Sequence, residues 1–237
     1  MKTIRTGRMQ KVPRVSLTVT LIAINVLVWF VLTLLILVFS MSADEGLIEK
    51  TLSFVAVNPQ LFVQGYFWTI LTSVFTHISF THLLVNMISL FFIGSFVERL
   101  IGQKRYGWFY LISGLAGSLL FVLLAYFGQS FSFGQNVFGG IDASAVGASG
   151  AIFGLGGLLA VILPKLRVLV FFVIPMPMWL AMTVLMFGLW ILSAAGGLPI
   201  GNTAHFGGLI VGLAYGFYLR TKYSRKVALL NRMFIGR

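Results

Sequence analysis

Long runs of uncharged, mainly apolar residues alternate along this chain with short clusters of basic residues. The uncharged runs cover residues 15–43, 51–97, 106–141, 143–164 and 168–219. Since a helix needs about 20 apolar residues to cross the hydrocarbon core of a bilayer, these runs predict membrane spans. The last run is too long for one span and is punctuated by the Gly-Gly-Leu-Pro sequence at 196–199. The pattern predicts six helices, roughly at 16–39, 82–98, 107–127, 147–163, 178–195 and 203–220.

Composition supports a protein that crosses the membrane several times. Of its 237 residues, 59% are hydrophobic and only 9% are charged, whereas soluble domains carry about 25% charged residues. Too few charges are present to cover a water-facing surface. The sequence has no cysteine, which excludes disulfides, thiol nucleophiles and cysteine-ligated metals.

The basic residues predict the orientation in the membrane. Sixteen of the 17 basic residues fall in segments 2–14, 99–105, 165–167 and 220–237, which the six-helix pattern brings to one side. Because basic loops stay in the cytoplasm, both chain ends are predicted to be cytoplasmic. The net charge of +12 is therefore interpreted as a topology signal, with a contact to anionic lipid as an option, and nucleic acid is not an expected partner.

Three regions are expected along the chain. They are a basic cytoplasmic arm at 1–15, a membrane domain at 16–220 and a basic cytoplasmic tail at 221–237. Within the membrane domain, segment 40–81 is predicted on the outer side. It carries no charge after Lys50 and is rich in aromatic residues such as Trp68, which suits the membrane–water interface.

Four polar residues are predicted at similar depth below the outer surface. His82 and Asn86 lie near the start of helix 2, Ser149 near the start of helix 4, and His205 near the start of helix 6. All three helices are predicted to start on the outer side. Polar side chains inside a membrane are costly unless they are paired or functional, so this grouping indicates a site.

Glycines mark one face of helix 4 and one face of helix 6. They are Gly147, Gly150, Gly154 and Gly157 in the first, and Gly208, Gly212 and Gly216 in the second. Faces of small residues let helices approach closely in lipid. We therefore expect helices 4 and 6 to pack together, which would bring Ser149 within reach of His205.

This pairing has the elements of nucleophilic catalysis. A serine hydroxyl becomes a good nucleophile when an imidazole accepts its proton, so Ser149 and His205 could act as a dyad. His82 and Asn86 lie four residues apart on one helix face and could join the Ser149 amide in an oxyanion hole. A third catalytic group is not expected, because the only Asp or Glu within the predicted helices is Glu98, at the end of helix 2 that is predicted to be cytoplasmic.

Each of these residues also has a simpler interpretation. Ser149 could be a small packing residue, His205 a hydrogen-bonded core histidine and Asn86 a link between helices. Phe153, one turn after Ser149, could stack on His205 or simply pack in the core, and His77 is expected to order the outer segment. A metal is not expected, because the histidines lack a carboxylate to orient them; His-Glu-x-x-His is also absent.

Four motifs resemble those of the rhomboid intramembrane serine proteases. They are His77-x4-His82-x3-Asn86, Gly94-x3-Glu98-x3-Gly102, Gly147-Ala148-Ser149-Gly150 and Ala204-His205-x2-Gly208-x3-Gly212. They follow the order of that family and cover roughly residues 60–220. The resemblance implies an all-α polytopic membrane protein with a rhomboid-like bundle of six transmembrane helices.

The resemblance also implies roles for individual residues. Ser149 would be the nucleophile and His205 the general base, with His82, Asn86 and the Ser149 amide as the oxyanion hole. Glu98 would be a structural carboxylate that ties helix 2 to neighbouring backbone. Segment 40–81 would be the membrane-embedded first loop, and helix 5 with loop 196–202 would form a substrate gate and cap that includes Phe187 and Trp190.

Two positions depart from the family pattern. Thr69 follows Trp68 where the family often has arginine, which puts the usual anchoring of the first loop in question. Phe153 stands where the family often has tyrosine, so a stacking surface remains without its hydroxyl. Neither departure removes a reacting group.

The resemblance therefore implies a serine endopeptidase that cleaves transmembrane segments of membrane proteins near the outer leaflet. The alternative is a non-catalytic rhomboid-like protein that binds unstable transmembrane helices. The expected partners are transmembrane substrates and the lipid bilayer, with no cofactor, metal or nucleic acid. The expected location is a prokaryotic plasma membrane.

Overall fold

The computed structural model describes residues 15–41, 45–196 and 201–235. Its architecture is a helical bundle, and the six predicted helices are all present, with ends that differ from the prediction by at most four residues. The six are α1 (Leu17–Met41), α2 (Phe80–Ile101), α3 (Gln103–Gly128), α4 (Ser149–Ile162), α5 (Met178–Gly196) and α6 (Asn202–Lys222).

The helices differ in how they meet the membrane. By length and composition, α1, α2, α3 and α5 are able to cross a bilayer. The shorter α4 is apolar on all sides and buries nearly every residue. A helix of that kind belongs in the interior of a bundle. The all-α membrane fold expected from the sequence is therefore confirmed.

The predicted packing of helices 4 and 6 is present. A Cβ built on Gly208 would overlap the carbonyl oxygen of Gly150, and one built on Gly212 would overlap that of Gly154. The helix α3 also approaches this pair closely, since a Cβ on Gly117 would lie 2.6 Å from Ala204 O. Glycine is thus required for the backbone contacts that form the centre of the bundle.

Glu98 joins α2 to the start of α1. Its carboxylate accepts hydrogen bonds from the amides of Leu17 and Thr18, at 2.8 and 2.9 Å, and from the hydroxyls of Ser16 and Thr18, both at 2.7 Å. The first amides of a helix have no partner within the helix, so a carboxylate at this position stabilises the helix start. The backbone tied by Glu98 therefore belongs to α1.

Several shorter elements lie outside the six helices. Short helices cover Glu45–Val55, Pro59–Val63, Thr69–Thr72 and Gly134–Phe138, and a 3-10 turn covers Ser73–Phe75. A two-stranded antiparallel hairpin joins β1 (Arg167–Val170) to β2 (Ile174–Pro177), with Val168 opposite Met176. The sequence pattern had not predicted this hairpin.

Most of the region predicted as a basic tail forms a further helix, α7 (Ser224–Ile235). Asn231 Nδ2 donates to Ile162 O at the end of α4, at 2.6 Å, and the Phe234 ring lies 5.9 Å from that of Phe96. This helix therefore packs on the end of the bundle opposite Ser149. Residues 1–14 of the predicted N-terminal arm lie outside the described residues.

Candidate active site

The structure brings Ser149 and His205 into direct contact. Ser149 is the first residue of α4, and His205 lies in the first turn of α6. His205 Nε2 lies 2.7 Å from Ser149 Oγ, although 56 residues separate the two in sequence. This distance suits a hydrogen bond through which a proton could pass from the hydroxyl to the imidazole.

The second nitrogen of His205 has no protein partner in the described residues. His205 Nδ1 is buried and makes no hydrogen bond there. A serine protease triad has a carboxylate at this position. Within the described residues, the side-chain contacts of the His205 ring are those with Ser149 and Phe153.

Phe153 fixes the plane of the imidazole. Its ring stacks on His205 with centroids 4.5 Å apart and an interplanar angle of 9°. Phe153 lies one turn after Ser149 on α4 and is itself buried. Both interpretations of Phe153 agree with its contacts, because the ring stacks on His205 and also belongs to the buried core.

Gly147 allows His82 to approach the serine. Its φ of 120° is rarely adopted by other residues. A Cβ at this position would lie 2.8 Å from two ring atoms of His82 and 3.7 Å from Ser149 Oγ. The Gly147 amide also donates to Ser73 O at 2.8 Å. The His82 ring therefore lies against the chain just before Ser149.

Asn86 makes its hydrogen bond within α2. It is buried, and its Nδ2 donates to His82 O, one turn earlier, at 2.9 Å. An asparagine amide carries two N–H donors, so one donor remains beyond this bond. The start of the helix is capped by Ser79, whose Oγ accepts from His82 N at 3.2 Å.

His77 supports the backbone next to Ser149. It is buried, its Nε2 accepts from Ala148 N at 3.4 Å, and its ring lies 5.0 Å from that of His82. Burial, with a smaller effect of His82, lowers the pKa of His77 from 6.5 to about 3. The ring is therefore neutral near pH 7, as an accepting nitrogen requires. The hydrogen bond joins His77, at the end of the outer segment, to the backbone just before Ser149. A contact of this kind is what the expected ordering of the outer segment by His77 requires.

The outer segment holds the loop that leads to Ser149. Val57 and Ala145 exchange two backbone hydrogen bonds, of 3.1 and 2.8 Å. The Asn58 side chain donates to Asp142 O at 2.8 Å, and also caps the helix Pro59–Val63. Sequence reasoning missed Val57, Asn58 and Ser73. The Asn-Pro pair signals a helix start, but nothing local signals a partner about 85 residues away.

Trp68 and Thr69 make contacts within the outer segment, although Thr69 stands where the resemblance led us to expect an arginine. Trp68 Nε1 donates to Phe54 O at 2.9 Å, and its ring contacts those of Phe54 and Tyr66. Thr69 is buried, and its Oγ1 donates to Tyr66 O at 2.6 Å. The contacts of Trp68, Thr69 and Asn58 thus order this segment.

The two candidate gate aromatics differ in their surroundings. Phe187 is 60% exposed on α5. Trp190 Nε1 donates to Val137 O at 2.8 Å, and its ring contacts that of Phe206 on α6. Residues 197–200 of the predicted cap loop lie outside the described residues.

The site has no grouping suited to a metal. Among the described residues, no three His, Asp or Glu side chains are gathered so that they could hold an ion. His77 and His82 are close together, but the described contacts of His77 involve the backbone of Ala148.

A comparison with protein families identifies the domain. The family model described as the Rhomboid domain matches residues 64–222, which include Ser149, His205, His82 and Asn86. The chain belongs to the rhomboid family. It is an integral membrane protein with several spans, in agreement with the four long apolar helices of the structure.

Relatives of this rhomboid chain come from bacteria, plants and fungi. It is 34% identical over 166 residues to RHOMBOID-like protein 5 of Arabidopsis thaliana, covering 69% of the chain and 48% of the relative. It is 30% identical over 198 residues to Rhomboid protease GluP of Bacillus subtilis, covering 83% of the chain and 33% of the relative. Rhomboid protein 1, mitochondrial, of Saccharomyces cerevisiae is 31% identical over 156 residues, with 64% and 41% covered. The matched region spans a third to a half of each relative.

Proposed function

We propose that this protein is an intramembrane serine protease that cleaves transmembrane segments of other membrane proteins near the outer leaflet. The observation that carries the proposal is the 2.7 Å contact between His205 Nε2 and Ser149 Oγ. Membership of the rhomboid family, and the name of the bacterial relative, Rhomboid protease GluP, support it.

The reaction would begin with transfer of the Ser149 proton to His205 Nε2. Ser149 Oγ then attacks the carbonyl carbon of the scissile bond and forms a tetrahedral intermediate. His205 returns the proton to the leaving amine, which departs and leaves an acyl-enzyme. Water, deprotonated by the same imidazole, attacks the ester and releases the second product.

Three donors are proposed for the negative charge of the intermediate. The Ser149 amide is at the start of α4, where helix amides lack partners within the helix. The His82 ring lies beside Gly147, and the second N–H of Asn86 extends the set. Donors fixed before the reaction lower the barrier because they need no reorganisation.

The substrate is proposed to enter beside α5. Trp190 attaches one side of this helix to Val137, while Phe187 remains exposed. A transmembrane substrate that unwinds at its outer end would then present backbone to Ser149. We also propose that both chain ends are cytoplasmic, from the distribution of basic residues. A prokaryotic plasma membrane is proposed from the similarity to Rhomboid protease GluP of Bacillus subtilis.

The test combines active-site labelling with proteolysis. Purified protein in liposomes is treated with a fluorophosphonate probe, and cleavage of a model transmembrane substrate is followed in parallel. Ser149→Ala and His205→Ala are each expected to lower cleavage by about a thousandfold or more. Ser40→Ala, an exposed serine on α1, is the matched control and should retain activity.

A folded wild type that neither labels nor cleaves would contradict the proposal. It would favour the non-catalytic alternative, in which the protein binds unstable transmembrane helices. Retained cleavage in Ser149→Ala would also contradict it, because the nucleophile would then be another group.

A further inference from the structure

We propose that a cleft between the starts of α1 and α3 binds one anionic phospholipid. The cleft has a volume of about 710 Å3 and lies at the end of the bundle far from Ser149. Lys104 and Arg105 line it together with Leu17, Trp108 and Leu111. It thus combines two cationic side chains with an apolar groove.

The lining residues are arranged in order of depth. Lys104, Trp108 and Leu111 are separated by four and three residues on α3 and therefore lie on one helix face. At 1.5 Å per residue, Trp108 lies about 6 Å and Leu111 about 10 Å from Lys104 along the helix axis. The order from cation to indole to aliphatic side chain matches phosphate, glycerol backbone and acyl chain in a lipid leaflet.

The positive charges of the cleft are not neutralised by the protein. Lys104 and Arg105 are exposed, and neither makes an ion pair with a described residue. Glu98 is the nearest acidic residue in sequence, but its carboxylate accepts hydrogen bonds from Ser16, Leu17 and Thr18 and makes no ion pair with Lys104 or Arg105. Anionic lipid headgroups bind at basic pockets of this kind between membrane helices.

Trp108 offers a surface for the lipid at the interface. Its side chain is 63% exposed, and no described residue accepts a hydrogen bond from its indole N–H. Tryptophan favours the level of the headgroups because its ring is apolar and its N–H is polar. Gly107 lets α1 approach behind it, since a Cβ there would lie 2.8 Å from Leu17 Cδ2.

The first experiment measures retained lipid by native mass spectrometry. The full chain is purified in detergent with equal amounts of phosphatidylglycerol and phosphatidylcholine that carry the same acyl chains. The wild type is expected to retain one phosphatidylglycerol molecule in preference to phosphatidylcholine. Each basic residue strengthens binding of an anionic headgroup about fivefold, so Lys104→Gln with Arg105→Gln should lower the preference about 25-fold.

A double variant with the same loss of charge is the matched control. Lys165 and Arg167 are also exposed and basic but lie outside the cleft. Lys165→Gln with Arg167→Gln should keep the preference of the wild type. Equal losses in the two double variants, or equal retention of both lipids by the wild type, would overturn the proposal in favour of general lipid contact.

The second experiment places the acyl chain at Trp108. Phosphatidylglycerol with brominated acyl chains should quench tryptophan fluorescence more than brominated phosphatidylcholine, and Trp108→Phe should remove that excess. Unchanged excess quenching in Trp108→Phe would overturn the placement.

A competition with sn-glycerol 3-phosphate separates a lipid from a free anion. Retention of the phospholipid at millimolar competitor is expected, because the acyl groove contributes to binding. Displacement would show that the cleft binds the soluble anion, contrary to the proposal. None of these measurements requires proteolysis, so their outcome is independent of the proposed protease activity.

Discussion

The ring of Phe153 lies flat against the imidazole of His205, with centroids 4.5 Å apart and planes inclined by 9°. Because Phe153 is on the same helix as Ser149, one turn away, the element that presents the hydroxyl also fixes the orientation of the imidazole. The 2.7 Å contact between Ser149 and His205 depends on both. This arrangement leads to the first prediction.

Phe153→Ala is expected to lower kcat by about tenfold to a hundredfold with a smaller change in KM. The stack is lost, and an imidazole displaced by about 1 Å loses its alignment with the serine. Cleavage kinetics of a transmembrane substrate provide the measurement. Phe153→Tyr keeps the stacked ring and should retain activity; a fully active Phe153→Ala would refute the role of the stack.

Gly208→Ala is expected to destabilise the bundle by about 3 kcal/mol or more, because the new methyl group would overlap the backbone of α4. Thermal unfolding in detergent is the measurement. Gly188→Ala on α5 is the matched control, since nothing lies within 4 Å of a Cβ there. The stability of the control variant should increase by about 0.5–1 kcal/mol, because alanine favours the helix more than glycine does. Equal effects of the two substitutions would contradict the close contact of α4 and α6.

Glu98→Gln is expected to lower the stability by about 2 kcal/mol while leaving Ser149 labelling of the folded protein intact. The neutral amide loses charge-assisted hydrogen bonds to the start of α1, and its NH2 group faces donors. Glu49→Gln removes the same charge from an exposed position and should have little effect. Equal unfolding temperatures of the Glu98→Gln and Glu49→Gln variants would contradict this prediction.

The stability of the protein should fall as the pH is lowered from about 6.5 towards 3, in part through His77. Its folded-state pKa of about 3 lies below the ordinary 6.5, so in this window the unfolded state binds the proton and the folded state does not. One such group contributes at most about 1.4 kcal/mol per pH unit. His77→Gln should reduce the slope of stability against pH, measured by thermal unfolding. An unchanged slope would mean that His77 is not buried as observed.

The positions of the helices could be predicted because the membrane imposes a simple rule on the sequence. Long uncharged runs mark spans, so six helix positions followed from the pattern. The proximity of Ser149 and His205 could also be predicted from the sequence, since both lie at helix starts on the same predicted side. The glycines around Gly150 and Gly208 indicated which helices touch. These signals are periodic or local, so they can be recognised in the sequence without knowledge of the tertiary structure.

Other features of the structure could not be predicted, because no local pattern in the sequence indicates them. The hairpin β1–β2 lies in an apolar run, where a strand cannot be distinguished from a helix by periodicity. The spacing of Val227, Leu230 and Phe234 in α7 does fit one helix face, but the surrounding basic residues led only to the prediction of a basic cytoplasmic tail. The bonds from Asn58 to Asp142 and from Gly147 to Ser73 join distant residues and depend on the completed fold.

The separation of Ser149 and His205 by 56 residues has a consequence for synthesis of the chain. A ribosome that has just completed α4 has produced the hydroxyl but not yet the imidazole, which follows only with α6. During that interval Ser149 lacks its contact with His205 Nε2, and the proton transfer proposed above could not yet take place. The contact would form only when α6 inserts beside α4, so the insertion of this helix also brings the two side chains together.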